Sequence, residues 1–180
     1  MKIAVIGFSG GGKSTLARRL GDLYGVEVLH LDTVHHLSGW RSRPREKSRA
    51  MVEAFLNTHD ASGWVIDGNY GKLAYDRRME EADRIVMLLL NRLDCLQRVC
   101  RRYRTYRGSS RPDMTEGCQE KLDAAFIRWI LYEGRRGEQR ALLQKVMRRY
   151  KNKLVCLRSQ RDIDRYWKQC TAAEALPAKE

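Results

Sequence analysis

"GFSGGGKST", residues 7–15, stands directly behind the apolar run "KIAVI" of residues 2–6. The stretch satisfies the spacing G-x-x-x-x-G-K-[ST], with Gly7, Gly12, Lys13 and Ser14 at its fixed positions. Glycines at these positions let successive backbone N–H groups turn inward around phosphate oxygens, and a helix that starts near Lys13 adds the positive end of its dipole. Lys13 then reaches the β- and γ-phosphates, while the Ser14 hydroxyl ligates Mg²⁺. The expected nucleotide-binding residues are Gly7, Ser9, Gly10, Gly11, Gly12, Lys13, Ser14 and Thr15, and the implied ligands are ATP and Mg²⁺. No N-K-x-D guanine motif stands elsewhere in the chain to favour GTP.

Outward from this loop, the period of the apolar residues switches repeatedly. "KIAVIG" is a continuous β-branched run, the pattern of a strand covered on both faces of a parallel sheet. "KSTLARRLGDLYG" sets Leu16, Leu20 and Leu23 at helical spacing, with Gly25 as a stop. "VEVLHLD", "GWVIDGNY", "RIVMLLL" and "KLVCLRS" read as four further strands. "REKSRAMVEAFLNTHD" reads as a helix entered at Pro44, with Met51, Val52, Phe55 and Leu56 on one face. Two long helical stretches, 92–105 and about 119–150, separate the fourth strand from the fifth. Strands alternating with helices predict a three-layer α/β/α fold around a five-stranded parallel sheet. Residues 1–170 are expected to form a single domain, and 171–180 a frayed tail.

The chain has 180 residues, 43% of them apolar and 32% charged, the balance of a globular protein. Its longest apolar run, "IVMLLL", is too short for a membrane span, which needs about 20 residues. No signal-peptide pattern is visible at the N-terminus, and the five scattered cysteines form no C-x-x-C pair. A cytoplasmic protein with reduced thiols is the expectation. The formal net charge of +13 favours polyanionic partners, whether nucleic acid, an anionic membrane surface or phosphorylated small molecules.

A phosphate loop needs a carboxylate on the metal side, commonly at the end of another strand. Asp67, closing "WVID", is the best placed, with a D-G turn as its plainer reading; Asp32, closing "VLHLD", is the other candidate. His35 and His36 lack the i, i+4 spacing of a helical zinc pair. Phosphoryl transfer develops negative charge that arginines clamp. Arg98 and Arg102 are spaced i, i+4 on a predicted helix and share a face, and Arg107 and Arg111 follow in a glycine- and serine-bearing segment. A solvated basic surface is the plainer reading of the same run.

"HLDTVHHLSGW", "WVIDGNY" and "RPDMTEGCQEKLD" together resemble the adenylate-kinase-related proteins labelled DNA topology modulation proteins. The resemblance runs from residue 1 to about 170. It implies a P-loop fold like that of nucleoside monophosphate kinases, with a helical lid over about 103–120. It also implies ATP as phosphoryl donor to a small acceptor, a nucleotide or a hydroxyl metabolite. Lys13, Asp32, Asp67, Arg98, Arg102 and Arg111 become the expected catalytic set, with Asp32 meeting the acceptor hydroxyl and Ser14 and Asp67 beside the metal. Arg98 and Arg158 join the nucleotide site, Arg158 at the place where related kinases contact adenine. Trp40, Asn69, Tyr70, Asp113, Gly117 and Glu120 are implied as further site residues. After Asp67-Gly68 the chain has Asn-Tyr where adenylate kinases carry Phe-Pro-Arg, and Arg77 or Arg78 are the available replacements for that acceptor-phosphate arginine. The family's label supplies the alternative, an ATP-binding regulator associated with nucleic acid. It is the less favoured reading because no DNA- or RNA-binding signature is present.

Overall fold

The computed structural model describes residues 1–175. Strand β1 (Lys2–Gly7) leads through the glycine loop into helix α1 (Lys13–Tyr24), followed by β2 (Glu27–His30) and the short α2 (Leu31–His35). A small antiparallel pair, β3 (His36–Leu37) and β4 (Arg41–Ser42), precedes α3 (Arg45–Thr58), β5 (Trp64–Asp67), α4 (Tyr75–Glu81) and β6 (Arg84–Leu88). Then come α5 (Arg92–Tyr106), α6 (Ala124–Leu131), α7 (Gly137–Arg149), β7 (Leu154–Leu157) and α8 (Gln160–Ala175). The main sheet runs β2-β5-β1-β6-β7, and every pairing in it is parallel.

The period of two along β1 divides the core. Ala4 and Ile6 pack with Val52, Leu56, Met79 and Val146, so α3, α4 and α7 cover one face. Ile3 and Val5 pack with Leu16, Leu20, Val99 and Ile163, so α1, α5 and α8 cover the other. The expected three-layer fold is therefore present. Leu20 is fully buried, and truncation to Ala there should cost about 2–5 kcal/mol. The five cysteines are all free, and among the described residues no helix is long and apolar enough to cross a membrane.

Several local expectations need correction. The strand "VEVLHLD" ends at His30, so Asp32 lies in the first turn of α2 instead of at a strand terminus. The stretch 119–150 is broken: Asp123 caps α6 by accepting the Phe126 N–H, α6 ends at Leu131, and a 3-10 turn over Glu133–Arg135 precedes α7, which opens on Gly137 at φ 50. On α3, Val52 and Leu56 are buried with Ser48, whereas Met51 is 44% exposed. The α4 helix was not legible, because the i, i+3, i+4 face of its buried Tyr75, Arg78 and Met79 carries an arginine and so gives no apolar stripe. Residues 171–175 continue α8 instead of fraying, and 176–180 lie outside the described residues.

Candidate functional site

The glycine loop lies where β1 meets α1. Gly7, at φ 131, passes so close to β6 that an added Cβ would fall 2.1 Å from the Leu88 carbonyl oxygen. Gly10, at φ 77, would meet the Cys95 carbonyl at 2.7 Å. Both positions require glycine for space and for backbone conformation. Asn69 braces the loop from the neighbouring strand end: its Oδ1 accepts the Gly7 N–H at 2.9 Å and its Nδ2 donates to the Gly7 carbonyl at 2.7 Å. Lys13 Nζ donates to the Phe8 carbonyl at 3.2 Å. Burial holds the Lys13 amine below its ordinary pKa, while Asp32 and Asp67 pull it back up.

Parallel register brings the acids to the same edge. Asp67 closes β5, and its register partner on β2 is His30. Asp67 Oδ2 accepts the Ser14 hydroxyl at 2.8 Å, and Asp67 Oδ1 lies 2.5 Å from His30 Nδ1. Burial works to lower the His30 pKa, but the hydrogen bond and charge of Asp67 outweigh it and leave it raised. His30 went unnoticed in the sequence, since its partner lies 37 positions away. Asp32 accepts the Tyr70 hydroxyl at 2.7 Å. Burial, and next the Asp32 charge, push the Tyr70 phenol far up, so it stays a proton donor.

The opposite wall is basic. Arg98 donates from Nη1 to the Gly11 carbonyl at 2.9 Å and from Nη2 to Gln160. One turn on, Arg102 donates from Nε to Glu120 at 2.8 Å. Arg111 pairs with Asp113 at 2.8 Å and Glu120 at 2.7 Å. Between the walls lies a cleft of about 1050 Å³, lined by Ser9, Gly10, Gly12, Lys13, Ser14 and Thr15 on its floor. Asp32, Asp67, Arg98, Arg102 and Arg111 also face it. The structure thus brings the expected residues of the loop and both walls together. Gly7 and Gly11 act behind the lining, through the contacts given above.

Other expected residues lie elsewhere. Arg158 does not line the cleft: it is exposed, and its backbone N–H donates to Asp162 Oδ2 at 3.0 Å, closing the first turn of α8. Arg78 is fully buried, with Nε donating to the Leu73 carbonyl, Nη1 to Gly68 and Nη2 to Tyr70. Arg77 pairs with Glu81 on α4. Neither lines the cleft, so neither stands where an acceptor-phosphate arginine would. On the other side, Phe126 and Trp129 of α6 line the cleft, and Trp129 Nε1 donates to Ser9 Oγ at 3.2 Å. No local pattern in the sequence marked them. Among the described residues no cluster of three His, Cys, Asp or Glu side chains is arranged to hold a metal by itself. Ser14 and Asp67 nevertheless present the hard oxygen donors that Mg²⁺ takes when phosphate oxygens and water complete its shell.

No protein-family model and no curated protein matches the chain. Solved structures do. A gluconokinase from Sinorhizobium meliloti 1021 superposes with a TM-score of 0.50 at 16% identity, over 97% of this chain and 91% of that one. A deoxyadenosine kinase from M. mycoides, with dCMP and dCDP as bound products, gives 0.49 at 13% over 96% and 100%. A shikimate kinase from Acinetobacter baumannii in complex with shikimate gives 0.49 at 20% over 97% and 94%. The gluconokinase likeness agrees with the strand order and loop position in defining the fold as that of the P-loop kinases.

Proposed function

We propose that the protein is a Mg²⁺-ATP-dependent kinase that phosphorylates a hydroxyl group of a small acceptor. The observation that carries this reading is the hydrogen bond from Ser14 to Asp67 within a cleft that also gathers Lys13, Asp32 and three arginines, Arg98, Arg102 and Arg111. Carboxylate and guanidinium groups around one phosphate loop are what is needed to bring a protic acceptor to a polyphosphate. Lys13 and the loop N–H groups hold the β- and γ-phosphates. Ser14 and Asp67 would hold a Mg²⁺ ion, which when bound would neutralise negative charge on the phosphates. Arg98, Arg102 and Arg111 face the transferring group. Asp32 receives the acceptor proton as the acceptor oxygen bonds to the γ-phosphorus; the bond to the bridging oxygen breaks and ADP leaves. The lid expected over about 103–120 shifts to residues 107–123, because α5 continues to Tyr106, and it belongs to a single domain.

The commitment of Arg78 to three backbone carbonyls favours a hydroxyl compound over a nucleoside monophosphate as acceptor. A regulator associated with nucleic acid has no comparable support. The test is ADP formation from Mg²⁺-ATP across matched pairs, each a nucleoside or polyol and its monophosphate. Turnover with the unphosphorylated members is expected. Turnover confined to the monophosphates would reassign the acceptor, and failure to bind Mg²⁺-ATP would remove the kinase reading.

A further inference from the structure

Two guanidinium groups converge on one carboxylate where residues 107–123 cross α5. Glu120 Oε1 accepts from Arg102 Nε at 2.8 Å, and Glu120 Oε2 lies 2.7 Å from Arg111 Nε. The Glu120 side chain is only 3% exposed. Asp113 holds the far edge of Arg111 through Nη1. Burial, and next the positive charge of Arg111, draw the Arg102 pKa down, while Glu120 pushes it back up. The two cations repel each other, and the carboxylate between them makes their pairing tolerable. A guanidinium has five N–H donors, so these contacts leave donors over for phosphate oxygens. Both arginines line the cleft.

Arg111 and Glu120 travel together on one segment, and that segment is seated on the opposite wall. Gly39 N–H donates to the Gly117 carbonyl at 3.2 Å, Thr115 Oγ1 to His36 at 2.6 Å, and Trp40 Nε1 to Gln119 at 2.9 Å. Trp40 has a left-handed φ of 62, a strained conformation for a non-glycine residue that surrounding contacts must hold. Arg102, by contrast, belongs to the helix α5. Seating the segment on residues 36–40 is therefore what brings Glu120 and Arg111 to Arg102.

We infer that Glu120 is a positioning residue that assembles Arg102 and Arg111 into a paired clamp for the transferring phosphoryl group. It touches no phosphate and acts through the two arginines. The inference rests on the kinase reading above. It assigns the clamp mainly to the transition state, because the glycine loop, to whose Gly11 carbonyl Arg98 donates, takes no part in the Glu120 pairings.

The test compares the affinity of the full chain for Mg²⁺-ADP alone with that for Mg²⁺-ADP plus aluminium fluoride, which mimics a phosphoryl group in transfer. Wild type should gain at least about tenfold in affinity from the fluoride complex. Glu120→Gln should lose most of that gain while Mg²⁺-ADP affinity changes less than about threefold. Glu120→Asp, which keeps the charge, should recover part of it. Thermal melting of each variant checks folding; a purely structural role would lower Mg²⁺-ADP affinity and melting temperature together and leave the gain intact. Wild-type gain that survives in Glu120→Gln overturns the inference but leaves the kinase reading standing. A wild type that binds Mg²⁺-ADP and gains nothing overturns the inference alone, and one that fails to bind Mg²⁺-ADP overturns both.

Discussion

The Ser14 hydroxyl donates to Asp67 Oδ2 at 2.8 Å, joining the first turn of the helix behind the glycine loop to the end of a strand 53 residues away. Asp67 should therefore act on nucleotide through the metal. Asp67→Asn is expected to weaken ATP binding by at least about tenfold with Mg²⁺ present and by much less in EDTA. Titration of a fluorescent ATP analogue under both conditions checks this. Equal losses with and without Mg²⁺ would place Asp67 outside the metal's reach.

Tyr70 should matter through one oxygen. Tyr70→Phe removes the hydrogen bond to Asp32 and little else, and hydrogen bonds to charged groups contribute about 1.5–3 kcal/mol. Both side chains are partly buried, so a loss near the lower end, about 1–2 kcal/mol, is expected. Urea unfolding of the two proteins measures it, and an unchanged midpoint would mean that water replaces the phenol.

Arg78 is a structural residue, and its loss should be severe. Arg78→Met leaves the Gly68, Tyr70 and Leu73 carbonyls without their donor and should destabilise the fold by about 3–5 kcal/mol. Arg78→Lys keeps the charge but not the fork, so it should recover only part. Denaturant midpoints decide the matter; a Met variant within about 1 kcal/mol of wild type would contradict this role.

Much of this arrangement was legible because its signals are local. The glycine loop, the apolar runs of β1 and β6, and the i, i+4 spacing of Arg98 and Arg102 each show themselves within a few residues. Asp67 was legible for the same reason, as a carboxylate that ends an apolar strand. His30 was not, because it reaches Asp67 only through the parallel register of β2 and β5. Trp129 was not, because α6 returns across 120 residues of chain to meet Ser9. The basic charge was ambiguous for a further reason: composition cannot separate an arginine on the surface from Arg78, Arg102 or Arg135. Arg135 donates to the Ile130 and Leu90 carbonyls. Arg158 shows the opposite failure, a position implied by resemblance whose backbone instead closes the start of α8.

His30 gives the fold a pH dependence of known sign. Its folded pKa is raised by Asp67, so the stability it adds is fully present below the unfolded value of about 6.5 and is lost as pH rises through the folded value. The stability difference between wild type and His30→Gln should therefore be larger at pH 6 than at pH 9. Urea unfolding at the two pH values checks the direction, and a difference that grows toward pH 9 would contradict it.

Phosphoryl transfer from ATP held by Lys13 can be followed directly, by incubating the protein with γ-labelled ATP, Mg²⁺ and the hydroxyl compounds of the acceptor set and tracing the label. Label is expected on a hydroxyl oxygen of one compound class, dependent on Mg²⁺ and abolished in a folded Lys13→Ala variant. Label that stays on ATP throughout, or transfer that persists in Lys13→Ala, would contradict it.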